Sequence, residues 1–345
     1  MKHLFFKLVV AAAATVALAA PASAQSDILL RLRSGSPLGD RFRVDSAGGF
    51  VARGSLGIGI IPQTGAGERV MWYPFKSSFR AGGVDGSQWD DANTGFYSLA
   101  AGFNTTAQGN YSVAIGYASK AVQSYGVALG YTANADGTSA VSIGYRTTAD
   151  ADYSLAMGYR ASTAGRTGAM VFSDASTTDS TRATANNQFT VRAAGGTRLF
   201  TNATMTAGVQ LSAGGSSWAV ISDRNRKENF AGVDGEDVLL RLRSVPVTTW
   251  QYRDEEERST RHIGPMAQDW HRAFGFTTDA TTINMSDFDG VNLVAVQALE
   301  ARTASQAQEI QALQGRVAER DARIETLEAR IARLEALLAA PQPPR

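Results

Sequence analysis

The stretch Tyr111-Ser112-Val113-Ala114-Ile115-Gly116-Tyr117 decides the fold, because it comes back in register along the chain. Tyr97-Ser98-Leu99-Ala100-Ala101-Gly102-Phe103 precedes it. Tyr125-Gly126-Val127-Ala128-Leu129-Gly130-Tyr131, Ser139-Ala140-Val141-Ser142-Ile143-Gly144-Tyr145 and Tyr153-Ser154-Leu155-Ala156-Met157-Gly158-Tyr159 follow. Each unit alternates small residues with Val, Leu, Ile or Met, the period-two pattern of a half-buried strand. The recurring glycine stands where the chain turns and a Cβ would not fit. A shorter strand, as in Thr106-Ala107 or Ala133-Asn134-Ala135, completes each unit. A repeat of 14 residues with two strands per unit predicts a β-solenoid over residues 95–172.

Stacked units place like residues above one another. Phe103, Tyr117, Tyr131, Tyr145 and Tyr159 make one aromatic column; Tyr97, Tyr111, Tyr125 and Tyr153 make another. Such columns either stabilise the stack and subunit contacts or offer an aromatic surface to a sugar; the first reading is the stronger.

On either side the chain changes character. Lys2 through Lys7 gives a short basic region, Leu8–Ala20 an apolar run and Ala22-Ser23-Ala24 small residues at cleavage positions. This pattern predicts a secretory signal peptide over residues 1–24 and an exported protein, extracellular, on the cell surface or periplasmic. Residues 25–94 are strand-like and Gly-rich, and no function is legible there. Gly54-Ser55-Leu56-Gly57-Ile58-Gly59 lacks the lysine of a phosphate loop and is expected as a β-turn region. Residues 173–221 are expected to form a β-neck or connector. From residue 293 to 340 the pattern is helical: Ile310, Val317, Ile324, Ile331 and Leu338 recur every seven residues, with Leu313, Leu327 and Leu334 beside them. Arg316, Arg323 and Arg330 fall opposite Asp321, Glu328 and Glu335 of a neighbouring helix, which predicts a parallel coiled coil.

Chemistry enters at Ile221-Ser222-Asp223-Arg224-Asn225-Arg226-Lys227. Of 33 basic residues only five are lysines (2, 7, 76, 120 and 227), so wherever charge alone is needed this chain uses arginine. A neutral amine acting as a base is work that guanidinium cannot do. Ser222 and Lys227 are therefore a candidate serine–lysine dyad. That stretch, then Val247–Tyr252, Arg261–Asp269 and Asp289–Leu293, resembles the auto-processing intramolecular chaperone domain at the C-termini of phage tailspikes, endosialidases and bacterial surface proteins. The resemblance implies a chaperone domain over 222–292 that trimerises and then cuts before its serine. Here the scissile bond would be Ile221–Ser222, with Ser222 as nucleophile and Lys227 as base. The Tyr111–Gly116 repeat resembles the head repeats of trimeric autotransporter adhesins, which implies a left-handed β-roll, although no membrane β-barrel anchor is expected from the C-terminal sequence.

The fold expected is therefore mainly β: a trimeric left-handed β-roll or solenoid fibre, a small α+β chaperone domain and a C-terminal parallel coiled coil. No cysteine means no thiol catalysis and no disulfide. His262 and His271 form no ligand pair, so no metal or cofactor is expected, and His262 is read as structural. Asp90-Asp91 is read as a solvated pair rather than a glycosidase pair. A net charge of +1 argues against nucleic acid as principal partner, and no membrane span follows the leader. The expected partner is the chain itself as a homotrimer, with an extracellular glycan or surface ligand as a further one. Two functions compete: a fibre whose chaperone cuts itself off, and an uncleaved trimeric adhesin or glycan-binding module with a permanent trimerisation domain. A tailspike-like glycan-degrading enzyme is the weakest alternative, for want of room for a catalytic domain.

Overall fold

The computed structural model describes residues 28–34, 39–253, 261–276 and 278–339. The leader read at residues 1–24 lies outside the described residues. These residues fall into two compact units, one running to Thr197 and taking in Leu211–Ser217, the other made of Arg198–Gln210 and the chain from Trp218 onward.

The first unit is a stack of β-rungs. Leu99–Phe103, Val113–Tyr117, Val127–Tyr131, Val141–Tyr145 and Leu155–Tyr159 pair in parallel, like residue over like residue, with Gly102, Gly116, Gly130, Gly144 and Gly158 aligned. A second parallel sheet runs through the short strands Thr106–Ala107, Lys120–Ala121, Asn134–Ala135 and Thr148–Ala149. The small residues point inward: Ala100, Ala114, Ala128, Ser142 and Ala156 are fully buried. Val, Leu and Ile of the same strands lie outward and stay at least partly exposed. The interior is thus narrow, lined by Ala, Ser and Thr; Ser112 donates to the Gly109 carbonyl at 2.6 Å, Ser154 to the Ala151 carbonyl at 2.6 Å and Ser142 to the Thr147 hydroxyl at 2.8 Å.

Narrowness explains the glycine column. Gly130 has φ +132, and a Cβ there would stand 2.1 Å from the Gly144 carbonyl oxygen of the next rung. The turn expected at this glycine is in fact a close approach between rungs, inside the strand. The aromatic columns form as read: rings of Phe103, Tyr117, Tyr131, Tyr145 and Tyr159 stack at 4.9 to 5.7 Å. The other column stacks from Tyr97 through Tyr111 to Tyr125 at 5.1 and 5.2 Å, and Ser139 interrupts it before Tyr153.

The stack runs past both boundaries drawn from the repeat. Ser78–Val84 pairs in parallel with Leu99–Phe103, so residues assigned to the 25–94 region belong to the rungs. Beyond residue 172, Phe189–Arg192 pairs in parallel with Met170–Ser173, and Thr181–Arg182 with Ala161–Ser162. Part of the segment expected as a neck is therefore solenoid. The rungs there are longer, so the 14-residue spacing that marks the others is lost.

At the N-terminal end Arg80 takes the inward position that Ala100 holds in the next rung. It is fully buried, has no carboxylate partner among the described residues, and donates instead to the carbonyls of Phe79 (2.8 Å), Ser98 (3.1 Å) and Ala107 (3.2 Å). Burial pushes its guanidinium down to about 10. Trp89, also fully buried, donates to the Thr105 carbonyl at 2.8 Å. Beyond them Gly67–Tyr73 pairs antiparallel with Ser78–Val84, and Met71 and Val84 share a buried cluster with Trp89. Arg80→Ala is expected to lower stability by about 2 kcal/mol, because a cavity and orphaned carbonyls outweigh relief of the buried charge. Urea unfolding measures this, and a higher midpoint for the variant would show that desolvation wins.

Asp91 is exposed, as expected of a solvated carboxylate, but both members of the Asp90-Asp91 pair also have partners in the chain. Asp90 accepts from the Gly65 amide at 2.7 Å, while Asp91 accepts from the Tyr73 hydroxyl at 2.8 Å and pairs with Lys76 at 2.9 Å. The Lys76 and Tyr73 hydrogen bonds hold the Asp91 carboxyl below its ordinary value.

In the second unit, helix α1 (Gly235–Ser244) starts at Asp234, whose carboxylate accepts from the Glu236 and Asp237 amides. Val247–Trp250 and His262–Pro265 form an antiparallel pair. Helix α2 (Ala267–Phe274) stops at Gly275 in the left-handed region, and α3 spans Met285–Ala339. Val238, Val245, Trp270, Val291 and Ala295 make the core. Trp270 anchors it, its ring 4.6 Å from Phe274 and 4.9 Å from Phe288. A boundary at 292/293 does not exist here: α3 begins eight residues earlier, at Met285, and its first turns are part of the globular core. Farther on, Ile310, Leu313, Val317, Ile324, Leu327, Ile331 and Leu334 line an exposed apolar seam.

Candidate functional site

The segment around Ser222 follows an antiparallel pairing in which Val209 and Gln210 meet Val220 and Ala219. The chain then turns sharply. Asp223 caps a 3-10 turn at Arg224–Arg226: its carboxylate accepts from the Asn225 amide at 2.9 Å, and its carbonyl accepts from the Arg226 amide at 3.0 Å. This is the local bonding that lets aspartate compete with regular structure and set a turn. Arg226 reaches back to the Asp223 carboxylate at 3.6 Å and donates to the Thr206 carbonyl at 3.4 Å. The Arg224 guanidinium lies 5.2 Å from the centre of the Phe230 ring.

The turn's effect is to reverse the chain between Ser222 and Lys227. Lys227 Nζ donates to Ser222 Oγ at 2.7 Å, so the two residues singled out by spacing are in direct contact. Ile221 is half-buried, and Ser222 and Lys227 are exposed on the single chain. The Ser222 hydroxyl and the Lys227 amine are thus within hydrogen-bonding distance of one another. Asp223 was not singled out in the sequence, although an aspartate directly before a short polar run is a recognisable turn signal. Asp223→Ala is expected to loosen the Ser222–Lys227 contact without unfolding the helical core. Protection of the Asn225 and Arg226 amides from hydrogen exchange should fall while that of α1 is unchanged.

His262 plays no part in this contact; it pairs across strands with Trp250 and its ring lies 4.7 Å from the Trp250 ring. Among the described residues no cluster of His, Asp or Glu could hold a metal ion, and no helix is long and apolar enough to cross a membrane.

With this geometry in hand, residues 222–277 match the family described as chaperone of endosialidase, and the match opens on Ser222 itself. Residues 94–161 match the YadA head domain repeat in overlapping windows of two copies. Two separate stretches of the chain are thus similar to known families, a head-repeat stretch followed by a chaperone stretch. No curated protein and no solved structure matches the chain. The matched head repeats coincide with the regular rungs, and the matched chaperone segment covers the turn, α1, the strand pair and α2.

Proposed function

We propose that the chain is the subunit of an exported homotrimeric fibre whose C-terminal chaperone directs assembly and then cuts itself off between Ile221 and Ser222. The observation that carries this reading is the 2.7 Å contact between Lys227 Nζ and Ser222 Oγ at the first residue of the chaperone match. In the step proposed, Ser222 Oγ attacks the Ile221 carbonyl carbon and gives its proton to the Lys227 amine. The bond from that carbon to the Ser222 nitrogen breaks, the nitrogen takes a proton from Lys227, and an ester links Ile221 to Ser222 Oγ. Water then hydrolyses the ester, leaving an Ile221 carboxylate and a free N-terminal Ser222. Attack within one residue carries a large proximity advantage.

Trimerisation is supported by apolar surface that the single chain leaves uncovered. Ile115 and Val191 on the solenoid and Ile310 through Leu334 on α3 are exposed. In this reading the head is the left-handed roll its repeats imply and the α3 seam closes as a parallel coiled coil. The dyad needs a neutral amine, which burial favours, and Lys227 is exposed until neighbouring chains cover it. Assembly would then precede the cut. The same exposure supports the second reading, an uncleaved trimeric adhesin with a permanent trimerisation foot. Intact mass separates them: wild type should yield a C-terminal piece starting at Ser222, and Ser222→Ala should yield none. A single full-length species in both would leave the second reading.

A further inference from the structure

The first three strands of the described chain, Ile28–Ser34, Gly39–Asp45 and Phe50–Ala52, make an antiparallel sheet of their own. Their register sorts the side chains. Leu30 stands opposite Val44, which stands opposite Phe50; Leu32 stands opposite Phe42, which stands opposite Ala52. Arg31 stands opposite Arg43, and Arg43 opposite Val51. Directly opposed residues share a sheet face. One face is therefore apolar and the other carries Arg31 and Arg43, joined by Arg33 on the same strand as Arg31.

Charge on that second face is poorly balanced. Asp40 serves two guanidiniums at once, Arg33 at 3.1 Å and Arg31 at 3.4 Å. Asp45, the other carboxylate of these strands, accepts from the Ala47 and Gly49 amides instead. Arg41 donates to the Ser34 hydroxyl at 3.3 Å, and Arg53 adds a further cation just past the third strand. Like charges directly opposite one another, as Arg31 and Arg43 are, weaken a sheet. A bound anion would offset that cost.

We propose that this arginine face binds an acidic polysaccharide, whose carboxylate or sulfate groups are gripped by Arg31, Arg33 and Arg43. Guanidinium suits both groups because its planar fork donates two parallel hydrogen bonds. Arg31 and Arg33 lie about 7 Å apart along the strand, and Arg31 and Arg43 about 5 Å apart across it, so the surface offers repeated cations to a repeated anion. A bilayer would take up the opposite, apolar face of Leu30, Leu32 and Phe50 rather than this one. Single-stranded nucleic acid is a poorer fit, since the face has no aromatic ring for a base to stack on.

The test titrates the full chain with a polyuronate and a sulfated dextran, beside neutral dextran, duplex DNA and phosphatidylglycerol vesicles. The acidic polysaccharides should bind at about 50 mM salt and weaken steeply as salt rises. The double variant Arg31→Gln/Arg43→Gln should lose roughly tenfold or more in affinity and reduce the salt slope by about two. Arg31→Lys/Arg43→Lys, which keeps the charge but not the fork, should fall between them and shows that any loss is not unfolding. Arg166→Gln/Arg182→Gln, a charge-matched control on the solenoid, should bind as wild type. Equal binding by the Gln variant, absence of binding by wild type, or preference for DNA or vesicles would overturn the proposal.

Discussion

A chain carrying Lys227→Arg is expected to stay whole across Ile221–Ser222, while its fold and assembly are unchanged. The substitution keeps the positive charge and the length needed to reach Ser222, which Lys227 Nζ now contacts at 2.7 Å. It removes one capacity, because a guanidinium in a protein does not give up its proton and cannot receive one from Ser222. General-base assistance contributes roughly a hundred- to ten-thousand-fold in rate. Cleavage complete within hours in wild type would therefore take weeks or longer. Sampling intact mass over several days, with assembly followed by sedimentation, separates loss of chemistry from loss of structure. If the Lys227→Arg chain were cut at the wild-type rate, the role given to Lys227 would fall, and with it the reason for this lysine's isolation in an arginine-rich sequence.

Gly130→Ala is expected to cost roughly 3–5 kcal/mol, the sum of backbone strain in a region reserved for glycine and overpacking against a rigid neighbour. The added methyl would lie 2.1 Å from the Gly144 carbonyl oxygen, and that oxygen belongs to the backbone of the next rung rather than to a side chain that could swing away. Rungs above and below must separate, and Val127–Tyr131 loses its register with Val141–Tyr145. Gly165 supplies the comparison. Its φ is also positive, at +72, but nothing lies within 4 Å of where its Cβ would be. Gly165→Ala should therefore show the strain without the collision, about 1 kcal/mol. Urea unfolding of both variants tests the difference; equal losses would mean that the close approach between rungs contributes nothing.

The rungs were legible in the sequence because stacking repeats one environment. Every Ala114-like position must be small and every Gly116-like position must lack a Cβ, so the same letters return every 14 residues. The ends were not legible for the same reason. Where residues are added between Val84 and Leu99, or between Ser173 and Phe189, the environment persists but the spacing does not. The start of α3 was hidden differently. Val291 and Ala295 are buried by α1 and α2 rather than by a partner helix, so they follow no heptad. At the candidate site the pairing of Ser222 with Lys227 could be read from spacing and resemblance. The contribution of Asp223 could not, because a turn cap acts through backbone amides that the sequence does not display. The bonds that Asp90 and Asp91 make were not legible because their partners, Gly65, Tyr73 and Lys76, lie 15 to 25 residues away.

The in-register stack also works as a ruler. Val113, Val127 and Val141 lie directly over one another, so every 14 residues of chain advance the stack by one strand spacing, about 4.8 Å. Removing residues 125–138 would bring Ser139 and Tyr145 onto Tyr111 and Tyr117 and leave each glycine under a glycine. The head would then be shorter by one graduation, with the same cross-section. Reach is set by counting units, and a lineage can lengthen or trim it by whole repeats while the strand register is kept.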